Sequence, residues 1–144
     1  MRTIRWIFPA LLALVAIAAG CSTAAPQTAD LPRLISPQDA AARLAEDENA
    51  VLLDVRTPEE WATDGRSPDA ILIPLQELEV RLDELDRNGT IMVICRSGNR
   101  SRPAAELLRQ AGFSRVTEVE GGMRNWAGQG LPVECDVAVC ALAP

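Results

Sequence analysis

The sequence predicts a small α/β domain in which helices cover both faces of a central parallel sheet. Three observations carry that expectation. Short apolar runs, "AVLLDVR", "AILIP", "TIMVI" and "RVTEV", alternate with stretches of helical character, and such alternation implies βαβ units with parallel pairing. "TIMVI" is apolar almost throughout, as a central strand buried on both faces should be. The chain has 144 residues, room for one domain, and it contains no internal repeat.

The N-terminus is set apart from this pattern. Arg2 and Arg5 form a positive n-region, Ile7 to Ala19 an apolar stretch, and small residues follow. This reads as a secretory leader over 1–20. The stretch is too short to span a bilayer, which takes about 20 apolar residues. "IAAGC" ends on Cys21, and "CSTAAPQTAD" after it is small and polar, so 21–33 is expected to be a flexible linker. The arrangement resembles the lipobox of bacterial lipoproteins, with Gly20 and Ala19 fitting the pattern and Ala18 standing where leucine is commoner. The resemblance implies diacylation of Cys21 and a lipid anchor to a membrane; the alternative is a plain secretory signal cleaved near the same place. Either way an exported, cell-envelope domain is expected.

The elements of the domain, 34–134, follow in order. In "LISPQDAAARLAEDENA" Ser36 is the expected N-cap of a helix, with Pro37 at its first position and Asp39 in its first turn. "AVLLDVR" is a strand, and Thr57 caps a short helix, "PEEWA". "AILIP" is a strand stopped by Pro74. Leu75, Leu78, Leu82 and Leu85 are spaced for one face of an amphipathic helix. "NGT" breaks the chain before "TIMVI". A helix is expected from Asn99 to Gln110, with Pro103 in its first turn and Gly112 as its stop. "RVTEV" and a glycine-bounded helical turn, "GGMRNWAGQG", complete the domain. The tail, 135–144, carries Cys135 and Cys140.

Composition removes several chemistries. The chain has no His, and all 14 of its basic residues are Arg, against 20 Asp+Glu. Triads and dyads built on imidazole, His-ligated metals and Lys Schiff bases are thereby excluded. Loss of Arg2 and Arg5 with the leader takes the net charge from -6 to -8, so no nucleic-acid partner is expected. No metal or organic cofactor is expected. Any nucleophile must be activated by local electrostatics.

That nucleophile is Cys95. It directly follows "TIMVI", at the carboxyl end of a parallel strand, where open sheets bind ligands. The loop "CRSGNR" carries Gly98, whose backbone freedom lets successive N–H groups converge, and the next helix presents free N–H groups and a positive dipole end. An acidic chain has placed Arg96, Arg100 and Arg102 here, where cations disfavour the dipole and call for a compensating anion. The first such anion is the Cys95 thiolate, whose pKa this setting lowers. Arg102, the furthest, is expected at the surface.

At this point the sequence resembles the rhodanese family, specifically its single-domain thiosulfate sulfurtransferases. The resemblance rests on "LLDVRTPEEW" (52–61), "AILIP" (70–74), "CRSGNRS" (95–101) and "VEGGMRNWAGQGLPV" (119–133), in the family's order. It implies a rhodanese-like fold, Cys95 as the sulfur-accepting catalytic residue, and a substrate-binding loop of Arg96, Ser97, Gly98, Asn99, Arg100 and Ser101. In it, backbone amides hold the persulfide, while Arg96 and Arg100 steer an anionic donor. Asp54 and Arg56 would support the site, as a structural ion pair rather than by chemistry. Where the family has glycine, histidine, isoleucine and proline, this chain has "GRSP"; Arg66 in the histidine position is expected to face solvent.

The resulting expectation is an enzyme that moves a sulfane sulfur from thiosulfate, or a similar anionic donor, to a thiol or cyanide through a Cys95 persulfide. A Cys-dependent phosphatase would need Arg after five intervening residues, where this chain has Ser101. An envelope persulfide carrier, or a thiol redox module pairing Cys95 with Cys135 or Cys140, uses the same nucleophile and stays open. For the tail, a structural Cys135–Cys140 disulfide is the favoured pairing in an oxidising compartment.

Overall fold

The computed structural model describes residues 31–136 and 140–142. The leader, and Cys21 with the lipid anchor expected on it, lie outside the described residues. The elements run β1 (Leu34–Ile35), α1 (Pro37–Glu46), β2 (Ala50–Asp54), α2 (Pro58–Thr63), β3 (Ala70–Leu72), β4 (Thr90–Ile94), α3 (Ser101–Gln110), β5 (Val116–Val119) and α4 (Gly122–Gly128). The five strands form one sheet in the order β1-β5-β4-β2-β3, and every pairing is parallel. The α/β fold class expected from the alternating pattern is the one observed.

β4 lies at the centre and is buried at all of its positions. Because side chains alternate across a strand, it feeds two cores. Ile91 and Val93, with Cys95 beyond them, join Ala104, Ala105 and Leu108 of α3 on one face. Met92 and Ile94 join Ala40 of α1 and Met123 and Trp126 of α4 on the other. Trp126 is seated by its indole N–H, which donates to the Pro132 carbonyl at 3.0 Å. The register sets Asp54 beside Ile94, so the chains leaving β2 and β4 emerge together at the same edge. That edge carries the candidate site.

Local chemistry explains most boundaries. Ser36 accepts from the Asp39 amide and Pro37 opens α1. Thr57 and Glu60 form a reciprocal capping box at the start of α2, which satisfies two amides that the helix itself leaves free. Two expectations are corrected. The segment after Pro74 is no α-helix but two 3-10 turns, Leu78–Val80 and Leu82–Glu84, separated at Arg81. Its leucines still face inward, with Leu78 and Leu85 buried and Leu75 and Leu82 packed beside them. A 3-10 turn rises about 2.0 Å per residue against about 1.5 Å in an α-helix, so the same face is spread further across the sheet, and packing overrides propensity. In addition, α3 begins at Ser101 rather than Asn99, because Asn99 and Arg100 complete the loop around Cys95.

Candidate active site

Cys95 is buried, 1% exposed, at the point where β4 gives way to the loop 95–100. The Gly98 amide donates to its Sγ at 3.1 Å, and Gly98 has φ +98°, a conformation favoured by glycine. The thiol lies 3.8 Å from Ser101 Oγ, whose hydroxyl donates to the Gly98 carbonyl at 3.0 Å. Burial pushes the Cys95 thiol up, but hydrogen bonds from the amides of Ser97, Ser101, Arg100 and Gly98 more than offset it and leave the thiol below its ordinary value. The loop is thus a cradle of N–H groups aimed at one sulfur.

A cradle with its amides inward must dispose of its carbonyls, and α4 does this. The Met123 amide donates to the Cys95 carbonyl at 2.8 Å, and the Arg124 amide to that of Arg96 at 3.1 Å. So close an approach requires Gly122, at φ +62°: a Cβ there would strike the Cys95 carbonyl oxygen and lie 2.8 Å from Ser97 N. The "GGMRNW" motif therefore backs the loop. Gly122→Ala is expected to displace the loop and slow alkylation of Cys95 by iodoacetamide by roughly 10²-fold, the penalty associated with a shift of about 1 Å in a reacting group. An unchanged rate would show that the backing is dispensable.

The arginines are not where a simple anion cradle would have them. Arg100 is committed to Glu60 of α2 by two hydrogen bonds, each 2.6 Å. The Arg100 hydrogen bond holds the Glu60 carboxyl down at about 2 against an ordinary 4.5, despite partial burial. A carboxyl lowered on folding adds stability above its ordinary value and loses it as the proton returns. Stability should therefore fall as pH drops from 4.5 towards about 2. Glu60→Gln should remove that acid dependence and, at neutral pH, destabilise by about 1.5–3 kcal/mol, the worth of a hydrogen bond between charged groups. Thermal melts of both proteins across pH check this.

Arg96 instead faces Asp64, with Nε 3.3 Å from Oδ2. Both of these atoms are buried and neither has a hydrogen-bond partner. The Arg96 side chain is 41% exposed. Arg102 is exposed and lines a cleft of about 330 Å³ beside the loop, with Ser97, Gly98, Asn99 and Ser101 on one wall and Glu118 and Glu120 on the other. Asp54 and Arg56 form a fully buried ion pair at 2.6 Å. Arg56 also donates to the Gly65 carbonyl at 2.8 Å, which ties the end of β2 to the loop preceding β3.

Arg66 does not face solvent. Its side chain is 15% exposed, lies between Glu134 and Asp136, and covers the Trp61 ring at 5.3 Å. Cys135 and Cys140 are bonded to each other, and Cys95 is the free cysteine among the described residues. The roles of Glu60, Asp64 and Gly122 were not anticipated. Only Glu60 carried a signal, as the last residue of the Thr57-x-x-Glu60 capping box.

A buried thiol at the carboxyl edge of a parallel sheet, lowered from its ordinary value by the loop amides that enclose it and free of any imidazole, defines a class of thiolate group-transfer domain. The comparisons narrow the class. Residues 36–129 match the rhodanese-like domain. The chain is 38% identical over 99 residues to a sulfurtransferase of Allochromatium vinosum, covering 69% of this chain and 92% of that one. It is also 38% identical over 100 residues to the thiosulfate sulfurtransferase GlpE of Actinobacillus pleuropneumoniae, covering 69% and 91%. The crystal structure of a rhodanese-related protein from Thermoplasma volcanium superposes with a TM-score of 0.64 at 36% identity, over 72% of this chain and 98% of that one. The chain belongs to the rhodanese-like domain family. Its role is sulfur transfer.

Proposed function

We propose that the protein is a thiosulfate-type sulfurtransferase with Cys95 as its catalytic residue. The Cys95 thiolate attacks the outer sulfur of thiosulfate. A bond forms between the two sulfurs, the donor's sulfur–sulfur bond breaks, and its electron pair leaves with sulfite. The enzyme is then a persulfide anion, Cys95–S–S⁻. A thiolate or cyanide attacks the outer sulfur, carries it away and restores the thiolate, the pattern of covalent two-step catalysis. Every group in both steps is an anion or becomes one, so no proton donor is needed, which suits a chain without His.

The observation that carries this reading is the ring of amides on Cys95 Sγ, which favours the anion in the free enzyme and equally in the persulfide. Arg100, spent on Glu60, is a support for the loop, while Arg96 is the side chain available to receive the donor's sulfonate. The Cys135–Cys140 pairing leaves Cys95 free and so favours sulfur transfer over a redox relay. Mass spectrometry of the Cys95 peptide after thiosulfate is the test. One added sulfur, removed by cyanide as thiocyanate, is expected; an unchanged mass would overturn the reading.

The leader and the Cys21 motif support export and lipid anchoring in the cell envelope, and a tail disulfide suits an oxidising compartment. Incorporation of labelled palmitate that disappears in Cys21→Ser tests the anchor.

A further inference from the structure

We propose that the disulfide-stapled tail clamps the active-site loop, with Asp64 as a positioning residue for Arg96. The proposal rests on the sulfur-transfer reading for its purpose, though not for its geometry. Residues 64–69, between α2 and β3, belong to no helix or strand and are gripped from two sides. Within the core, Arg56 donates to the Gly65 carbonyl. From outside, the tail adds three backbone hydrogen bonds to this segment and two to the end of α2: Arg66 and Glu134 exchange a pair at 2.8 and 2.9 Å, the Leu142 amide donates to Asp64 at 2.9 Å, and the amides of Asp136 and Ala141 donate to Ala62 and Thr63 at 3.1 Å each.

The staple lies directly on this segment. A Cβ on Gly65 would strike the Val133 side chain and lie 3.4 Å from Cys140 Sγ. Arg66, which replaces the histidine of the resembling family, holds the tail by its ion pairs to Glu134 and Asp136. The bond from Ala141 to Thr63 adjoins Asp64 and that from Leu142 falls on its carbonyl; these two residues follow the Cys135–Cys140 bond directly, and Leu142 packs against the core beside Leu131 and Val133. Asp64 in turn meets Arg96 at Nε, 3.3 Å from Oδ2, while the Arg96 side chain stays 41% exposed. A carboxylate on Nε and an anion on the amino groups is how one guanidinium serves two partners.

Opening the clamp is a two-electron step. A dithiol reductant gives two electrons and two protons to Cys135–Cys140, becomes a disulfide itself, and leaves two thiols on the tail. With the tail released, Asp64 keeps its amide bond to Glu60 but loses the outer hold on its carbonyl, so its carboxylate is set less firmly against Arg96, while the amide cradle persists because α4 holds it independently.

The test uses the full chain as wild type, Cys135→Ser/Cys140→Ser, Asp64→Ala and Asp64→Asn. Alkylation of Cys95 by anionic iodoacetate is compared with alkylation by neutral iodoacetamide on the Cys95 peptide. Thiosulfate kcat and KM are measured in parallel. In the double-serine variant and in Asp64→Ala, the iodoacetate-to-iodoacetamide ratio should fall, and the thiosulfate KM should rise, by about 3–10-fold, the scale of coupling carried through packed contacts. The iodoacetamide rate and kcat should hold, and Asp64→Asn, which keeps an oxygen before Nε, should restore part of the ratio. An unchanged ratio in the double-serine variant, or an equal fall with both reagents, would overturn the clamp. Wild type that takes no sulfur yet shows the ratio change would retain the clamp and dismiss the sulfur donor.

Discussion

Cys95→Ser should keep the fold and lose sulfur transfer by more than about 10³-fold, the scale of loss when a covalent nucleophile is deleted. The substitution changes one atom at a buried site whose surroundings are already polar on one side, so the melting temperature should move by no more than a few degrees. Serine's hydroxyl stays protonated in the cradle, and its oxygen cannot carry a transferable sulfur. The wild-type pH profile supplies the complementary measurement. Amide hydrogen bonds set the Cys95 thiol below its ordinary value, so at a given pH more of it is thiolate than in an unperturbed cysteine. Sulfur uptake should rise with pH to a plateau and fall on the acid side, with a midpoint below the ordinary cysteine value. A midpoint at or above that value would mean that burial wins over the cradle. Retained turnover in Cys95→Ser would remove the covalent mechanism altogether.

The parts of this site visible in the sequence are those whose chemistry is local. "TIMVI" followed by Cys95, Gly98 and a helix gives the strand, the turn and the amide ring within one short stretch, and local physics suffices for each. The fate of the arginines is different. Glu60 and Arg100 are 40 residues apart, and nothing in "CRSGNR" reveals that one of its cations is already neutralised. Asp64 and Arg66 hide for the same reason: their partners are in the active-site loop and the tail, brought together only by the sheet. The segment 75–85 shows the reverse case, where a correct apolar face was assigned to the wrong helix type. Leucines separated by three, four and three residues satisfy either geometry, and the span to be covered decides between them.

Asp54→Ala should be the most destabilising substitution near the site, at about 3–5 kcal/mol out of the roughly 5–15 kcal/mol typical of a domain. Asp54 accepts from the Arg56 amide at 3.0 Å and from its guanidinium at 2.6–3.0 Å, and both side chains are fully buried. Removing the carboxylate strands an arginine that cannot shed its charge. Arg56→Met should cost less, because its orphan can escape. Burial already raises the Asp54 carboxyl against the opposing hydrogen bonds and charge of Arg56, so without that partner it will take up a proton. The sign follows: a carboxyl with a raised folded pKa binds more protons folded than unfolded, so Arg56→Met should be more stable at low pH and lose stability as pH rises from about 4. Asp54→Ala should show no such recovery in acid. Replacing both, as Asp54→Leu with Arg56→Met, should destabilise less than Asp54→Ala alone, since it buries no charge. Thermal melts of the three variants at pH 4.5 and 7.5 separate these outcomes. If Asp54→Ala and Arg56→Met instead fall equally at both pH values, the pair contributes only packing, and its hold on the Gly65 carbonyl is the part that matters to the site.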